Sequence, residues 1–495
     1  MQKSGNTFLK LFPSLRLAVL LELDIKDVFA LQATSKEMQN EIVANRGLWY
    51  AHLKRLGDEY APEIPPHVDV DALQGPGLKG VVTRALRAHA NWGGESAPKA
   101  VRQTTVVLHN PDGAMGNLRH GNSGHIVHLV PGGEYLMVGW SKGFLQCYHV
   151  LSKECIWTFP DPASRTSIPD FSLKAFGVDL TVEEGETKLM VAITGQLQPK
   201  ENSCVLELYK INVLTKESIM VLRRDIGITT EHRGVILRGE FLLVIGEQSI
   251  FVANWLTAQF VEITKVSLHA DRIRVEGDYV VCVIGSYGRG KPFQLAVIPL
   301  KKLFATAPKG VEVTPGWIKV PFAEASLPPI DIECPAEQKM QGAHLLSVKP
   351  TWRRESDISI YLVAEVRKDF GTICRYAYKY VLKFDRSDDS HYVPSLVFEA
   401  ISKPAHEYHW EMIHYVRALP QTGRGFFFFY VPNTGGFIFE PFSLHEMLNN
   451  EEGKELSKDA LSLNAGPDAI HMEHYSGAIA FATPDSAKVI INHYD

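Results

Sequence analysis

The apolar residues of this chain recur at two different spacings, and the change from one to the other near residue 100 restricts the fold more than any other feature of the sequence. Over residues 8–56 they return every three or four positions, the period of helices with one buried face. Beyond residue 100 they alternate in short runs rich in Val, Ile, Phe and Tyr, separated by Gly, Pro, Asp and Asn, the period of strands joined by turns. A chain of 495 residues exceeds the size at which one hydrophobic core stops growing. The expected organisation is therefore a small all-α domain at 8–56, a connector with one amphipathic helix at 57–99, and a large all-β repeat domain at 100–495.

In the helical part, Ser14 is placed to cap a first helix ending near Glu22, and Asp24 a second carrying Val28, Leu31 and Met38 on one stripe. A third contains Leu48, Trp49, Leu53 and Leu56, with Gly57 at its end. The Pro- and Gly-rich stretch Tyr60–Gly80 reads as connector, and Leu78–Trp92 as one more helix bearing Arg84 and Arg87.

The β part repeats itself. Ile126–Val138, Val235–Val244 and Ile273–Val283 each run from an alternating strand through a tight turn with Gly and an acidic residue into a nearly uninterrupted apolar run. Such a run suits a strand covered on both faces. Looser copies at Lys188–Ile193, Ser359–Val366, Gly425–Val431 and Gly477–Ala482 bring the number to about seven units, each about 55 residues long. Third strands follow at Phe144–Tyr148, Val205–Tyr209, Ala377–Leu382 and Gly436–Phe439. Four-stranded blades around an axis, a β-propeller of about seven blades, account for this economically, with paired β-sandwiches or another barrel as the alternative. The last unit runs into Lys488–His493 and lacks an outer strand; Thr104–Leu108 is the expected supplier, clasping the two ends together.

Composition excludes several classes. A formal net charge of -5 with no block of Lys and Arg gives no reason to expect nucleic acid or an anionic membrane as partner. The six cysteines are scattered without a CxxC pair, so free thiols in a reducing compartment are expected in place of disulfides or zinc. Leu17–Leu21 is too short for a signal-peptide core, and Phe426–Val431 is far short of a membrane span. Cytoplasmic or nuclear residence is the expectation.

The N-terminal residues resemble the F-box family. The family pattern of a hydrophobic residue and Pro, a Leu-rich helix, Leu-Asp-x-x-Asp-Leu, Ser-Lys and Leu-Trp is matched in order by Phe12-Pro13, Leu23–Val28, Ser35-Lys36 and Leu48-Trp49. The resemblance covers about 45 residues, the length of that whole module. It departs from the pattern in having Phe before Pro13, no early acidic residue in the first helix, and slightly shorter spacing from Pro13 to Leu23. It implies a trihelical bundle docked on a Skp-family adaptor and through it a cullin, with Phe12, Pro13, Leu20, Leu21, Leu23, Val28 and Leu31 at the contact and Trp49 supporting the bundle. Arg87–Trp92 is similar to the helix that precedes the propeller in F-box proteins of the WD-repeat type, although the β repeats contain no Trp-Asp dipeptide. The implied function is a substrate receptor of an SCF-type ubiquitin ligase, without catalysis and without a cofactor, whose β domain binds the protein to be ubiquitinated. The alternatives are a propeller scaffold without a ubiquitin role and a propeller hydrolase.

No Walker loop, Gly-x-Ser-x-Gly elbow or dinucleotide fingerprint occurs. Gly285–Gly290 reads as a hairpin loop. His406, His409 and His414 cluster with two Glu, but His406 and His409 are three apart, whereas a zincin helix needs four, so solvated loop and strand histidines are expected. The target-binding candidates are the arginines near loops of the repeats, Arg223, Arg224, Arg233, Arg272, Arg274, Arg353 and Arg354, because paired guanidinium groups suit capture of carboxylate or phosphate.

Overall fold

In a computed structural model of the protein, the described residues are 8–59, 68–92, 99–110, 127–140, 143–160, 171–183, 185–197, 204–226, 234–268, 272–285, 292–305, 317–334, 339–350, 357–369, 372–384, 394–402, 405–409, 424–431, 436–443, 448, 461–463, 470–472, 478–483 and 488–494.

Among the described residues the N-terminal part contains five α-helices: α1 (Pro13–Glu22), α2 (Ile25–Gln32), α3 (Lys36–Ala44), α4 (Arg46–Glu59) and α5 (Gly75–Trp92). Ser14 does not cap α1; Phe12 occupies the cap position and Pro13 the first turn, where a missing N–H costs nothing. Asp24 caps α2 as expected, its carboxylate accepting from the Lys26 N–H at 2.8 Å. The single stripe expected through Val28, Leu31 and Met38 is instead split between two helices. The chain breaks at Ala33–Thr34, and Ser35 starts α3 by accepting from the Met38 N–H at 3.1 Å. Serine favours this exchange because its hydroxyl competes for backbone partners inside a helix and satisfies one at the start. Helix α4 runs past Gly57, and α5 begins three residues before Leu78.

Trp49 anchors the helices, fully buried, with its indole N–H donated to the Ile42 carbonyl at 2.8 Å and its ring 5.7 Å from Phe29. Leu78 and Val82 of α5 enter the same core as Leu20, Val28, Met38 and Leu53. Gly75 allows this approach: a Cβ there would lie 2.5 Å from the Val43 carbonyl oxygen.

The β part begins with β1 (Arg102–Val107). The first sheet is β2 (Val127–Leu129), β3 (Tyr135–Gly139), β4 (Leu145–His149) and β5 (Cys155–Phe159); the second is β6 (Phe171–Glu183), β7 (Glu186–Leu197), β8 (Cys204–Asn212) and β9 (Ser218–Asp225). The third has β10 (Gly234–Arg238), β11 (Phe241–Ile245), β12 (Ser249–Asn254) and β13 (Gln259–Thr264), and the fourth β14 (Ile273–Glu276), β15 (Tyr279–Ile284) and β16 (Gln294–Pro299). Helix α6 (Leu300–Ala305), β17 (Ile318–Pro321), helix α7 (Phe322–Ala325) and β18 (Ile330–Asp331) follow; β17 returns to β13 in parallel and β18 completes the fourth sheet. The fifth comprises β19 (Lys339–Pro350), β20 (Ile358–Asp369), β21 (Thr372–Lys383), β22 (Ser395–Ile401) and β23 (Ala405–His409), the last two both pairing with β21. The sixth, among described residues, is β24 (Arg424–Val431), β25 (Gly436–Ser443) and β26 (Leu461–Leu463). The seventh is β27 (Ile470–Met472), β28 (Ile479–Ala482) and β29 (Lys488–His493), closed by β1 from the start of the domain, as the sequence predicts.

The repeated unit is thus real, and its apolar run is the second strand of the sheet in β3, β7, β11, β15, β20 and β28. Neighbouring residues of these strands serve opposite cores. Met190 packs toward the third sheet and Val191 toward the first; Val244 packs toward the second and Leu243 toward the fourth. That double burial is why period-two alternation disappears there. Gly239 and Gly277 take positive φ in the two-residue turns that return β10 to β11 and β14 to β15, where a Cβ would be strained.

Successive sheets stack face to face, from first to second, second to third, third to fourth and fourth to fifth, and the seventh packs on the first through Val138 and Ala480. First strands approach one another, β6 with β10, β10 with β14, β14 with β19 and β27 with β2. At the first of these contacts a Cβ on Gly177 would stand 2.9 Å from the Val235 carbonyl oxygen. Mostly four-stranded sheets with inner strands converging make this a propeller-like domain.

Candidate docking surface on the first helix

Helix α1 carries apolar residues on both sides, which a helix at the edge of a small bundle does not need. Leu17, Leu20 and Leu21 turn inward, toward the core around Trp49. Phe12, Leu15 and Val19 turn outward and are 76%, 52% and 41% exposed. Their spacing of three and four places them on one helical face, extended by Leu11 and Pro13. An exposed apolar strip of this kind is a candidate interaction site.

The strip is anchored by hydrogen bonds from Arg16. The Arg16 guanidinium, in the middle of α1, donates through Nε to Glu41 of α3 at 2.8 Å and through Nη1 to the Leu11 carbonyl at 2.7 Å. One side chain therefore fixes both the helix and the residue that leads into it. Behind α1, His52 of α4 is buried and touches the Leu20 backbone; burial, with the nearby Arg55, lowers its pKa below the ordinary imidazole value.

The contact residues named from the family pattern divide in two. Phe12 and Pro13 are exposed, and Leu21, Leu23 and Leu31 are half-buried. Leu20 and Val28 are enclosed in the helical core, so no partner reaches them unless the bundle opens. Leu15 and Val19 share the exposed face of α1 with Phe12. The helical phase of α1 distinguishes them from Leu20, since positions 12, 15 and 19 share a face from which 20 is excluded, while Val28 belongs to α2.

The arginines do not form one site. Arg223 and Arg224 lie side by side on β9, the outermost strand of the second sheet; Arg223 is 3.5 Å from Glu207, and the Arg224 guanidinium sits 4.5 Å over the Phe260 ring of the third sheet. Arg272 and Arg274 belong to the innermost strand of the fourth sheet and its approach, where Arg272 donates to the Gly285 carbonyl at 2.9 Å and stacks on Phe293. Arg233, Arg353 and Arg354 lie outside the described residues, as do His414 and residues 286–290. His406 and His409 belong to strand β23.

The most enclosed charge in the described residues was not anticipated. Arg375 is fully buried and meets Glu365 through Nε and Nη2 at 3.2 and 3.0 Å, with His344 at 3.9 Å on the other carboxylate oxygen. Burial raises the Glu365 pKa, but His344 and Arg375 together overcome this and bring it to about 2. These residues sit on three adjacent strands, β19, β20 and β21, so only the register brings them together. With Arg375 sealed from solvent and Glu365 and His344 only 13% and 17% exposed, the arrangement reads as structural.

All six cysteines are free. Among the described residues no group of His, Cys, Asp and Glu has the geometry of a metal site, and no helix is long and apolar enough to cross a membrane.

No protein-family model matches the sequence, and no curated protein does. Among solved structures, the β-propeller domain of Cps50 (Swd1) from Myceliophteria thermophila is similar at 10% identity and a TM-score of 0.38, over 76% of this chain and 97% of that one. The WD40 repeats of RRP9 are similar at 10% identity and a TM-score of 0.38, over 76% and 96%. Both likenesses are too low to bear on function, and the fold rests on the strand pairing itself.

Proposed function

We propose that this chain is the substrate-recognition subunit of an SCF-type cullin-RING ubiquitin ligase. Helix α1 docks on a Skp-family adaptor and the β domain, a divergent WD-repeat-like propeller closed at seven blades, holds the target. The observation that carries the reading is the exposed face of Phe12, Leu15 and Val19 on a helix whose opposite face is already committed to a core, in the one segment that resembles an F-box. Tethering a target beside a ubiquitin-charged enzyme raises its effective concentration there, so the chain needs no chemistry of its own. The partners are then the adaptor, the cullin behind it and a target protein, in the cytoplasm or nucleus.

Co-purification with a Skp-family adaptor tests the reading. The wild-type chain should retain the adaptor, and a Phe12→Ala, Pro13→Ala double variant should lose it. No association of the wild type, or undiminished association of the variant, would sink the proposal and leave a propeller scaffold without a ubiquitin role.

A further inference from the structure

The outer edges of the sheets are not treated alike. In the first sheet, β5 is largely buried. In the third, β13 is covered by the chain itself: β17 adds a fifth strand in parallel, Ile318 and Val320 standing opposite Val261 and Ile263, with Lys319 between them 3.4 Å from Glu262. In the second sheet, β9 has no further strand among the described residues, although it carries Ile219, Met220 and Val221 at 66%, 47% and 39% exposure. Leu214, at the turn leading into β9, is exposed as well.

Open edges of this kind are ordinarily blunted, because a row of unpaired backbone groups beside apolar side chains invites another strand. Here the exposed half of β9 carries no Lys and no Pro. A bulge at Val221 lets that side chain project, and Arg223 and Arg224 follow before Asp225 ends the strand. Arg224 rests on Phe260, so the edge lies beside the aromatic flank of the third sheet.

We propose that β9 is a recognition edge that takes an extended segment of a partner protein by strand addition, an apolar segment with a carboxylate opposite Arg223. The chemistry of the occupant is read from β17, which this chain places on the neighbouring edge. There a short apolar–charged–apolar strand is fixed by backbone pairing and by one ion pair across the strands. On β9 the half-exposed Arg223, 3.5 Å from Glu207 of its own sheet, still presents a guanidinium outward where β13 presents the carboxylate of Glu262, so the incoming charge is reversed. Main-chain pairing then supplies affinity and the side chains supply selectivity. This goes beyond the proposed ligase role and does not depend on it.

The test is fluorescence anisotropy of the whole chain with three labelled decapeptides. The first alternates valine and threonine around a central Ile-Glu-Val; the second has Lys for Glu; the third is the first with alternate backbone amides N-methylated. The expected result is saturable binding of the Glu peptide, at least about tenfold weaker binding of the Lys peptide, and none of the methylated one. Arg223→Gln should weaken the Glu peptide about tenfold and leave the Lys peptide unchanged, and Ile219→Lys with Val221→Lys should abolish binding. Both substitutions are at exposed positions, and an unchanged thermal midpoint confirms that the fold survives. The proposal is overturned by failure of the Glu peptide to bind, by equal binding of all three peptides, or by binding that the double Lys variant retains. Sedimentation showing a dimer that the double Lys variant loses, without peptide binding, would instead give the edge to a second copy of the chain. No adaptor enters these measurements, so their failure is distinguishable from failure of the co-purification.

Discussion

Val106 and Val489 stand opposite each other on β1 and β29, both fully buried, in the strand pair that joins the beginning of the β domain to its end. The pair is continued by Arg102, whose Nη2 lies 3.2 Å from Nδ1 of His493, and by Gln103, which donates to Asn492 at 3.0 Å. Val106 also belongs to the core shared by the seventh and first sheets. Val489→Ala should therefore lower stability by about 2 kcal/mol through lost burial and the cavity left behind. Combining it with Val106→Ala in a denaturation cycle should show a coupling of at least about 0.5 kcal/mol. Additive losses would mean that the two ends do not close on each other in solution.

The docking face and the core behind it should separate in mutagenesis. Phe12→Ala with Leu15→Ala removes exposed side chains and should change the thermal midpoint little while abolishing adaptor association. Leu20→Ala removes a buried side chain and should cost about 2–5 kcal/mol of stability in the helical part. If Leu20→Ala left stability intact and removed only association, the orientation of α1 would be refuted.

His52 makes the helical part sensitive to mild acid. Its folded pKa lies below 6.5, so below that pH the unfolded chain takes up a proton that the folded chain resists. Stability is then full above 6.5 and falls as the pH drops toward the folded value. Thermal midpoints of the wild type at about pH 7.5 and about pH 5.5 should differ in that sense, and His52→Leu should reduce the difference. A difference that survives unreduced would place the sensitive group elsewhere.

The Glu365–Arg375 pair predicts the opposite end of the acid range. Because the Glu365 pKa is held at about 2, below its ordinary 4.5, its contribution is present above 4.5 and is lost as the pH falls toward 2. Arg375→Met alone should destabilise by about 3–5 kcal/mol, since it removes the guanidinium that faces the largely buried Glu365 carboxylate and leaves only the more distant His344. Glu365→Met with Arg375→Met should recover most of that loss, because two apolar chains of similar size need no compensation. Chemical denaturation of the wild type and the two variants checks this, and a double variant no better than the single one would count against the pairing.

Much of the architecture was legible because it is written in local order. The switch from helical to strand spacing near residue 100, the repeated apolar second strands, the Gly-acidic turns at Gly239 and Gly277 and the supply of an outer strand by Thr104–Leu108 all follow from side-chain period and turn chemistry. The split of one expected helix into α2 and α3 at Ser35 was less visible, since Val28, Leu31 and Met38 keep helical spacing across the break.

What the residues by themselves determined is the kind of element at each place, because period and capping act within a few residues of the chain. Which of Leu15, Val19, Leu20 and Val28 faces solvent, and the meeting of Arg375 with Glu365 and His344, were decided by the tertiary structure. The same holds for the covering of β13 by β17 while β9 has no further strand among the described residues. Each depends on how one element is rotated or registered against another distant in sequence. A helix with apolar residues on two faces, or a strand with no partner beyond it, has no local signal to say which side will be enclosed.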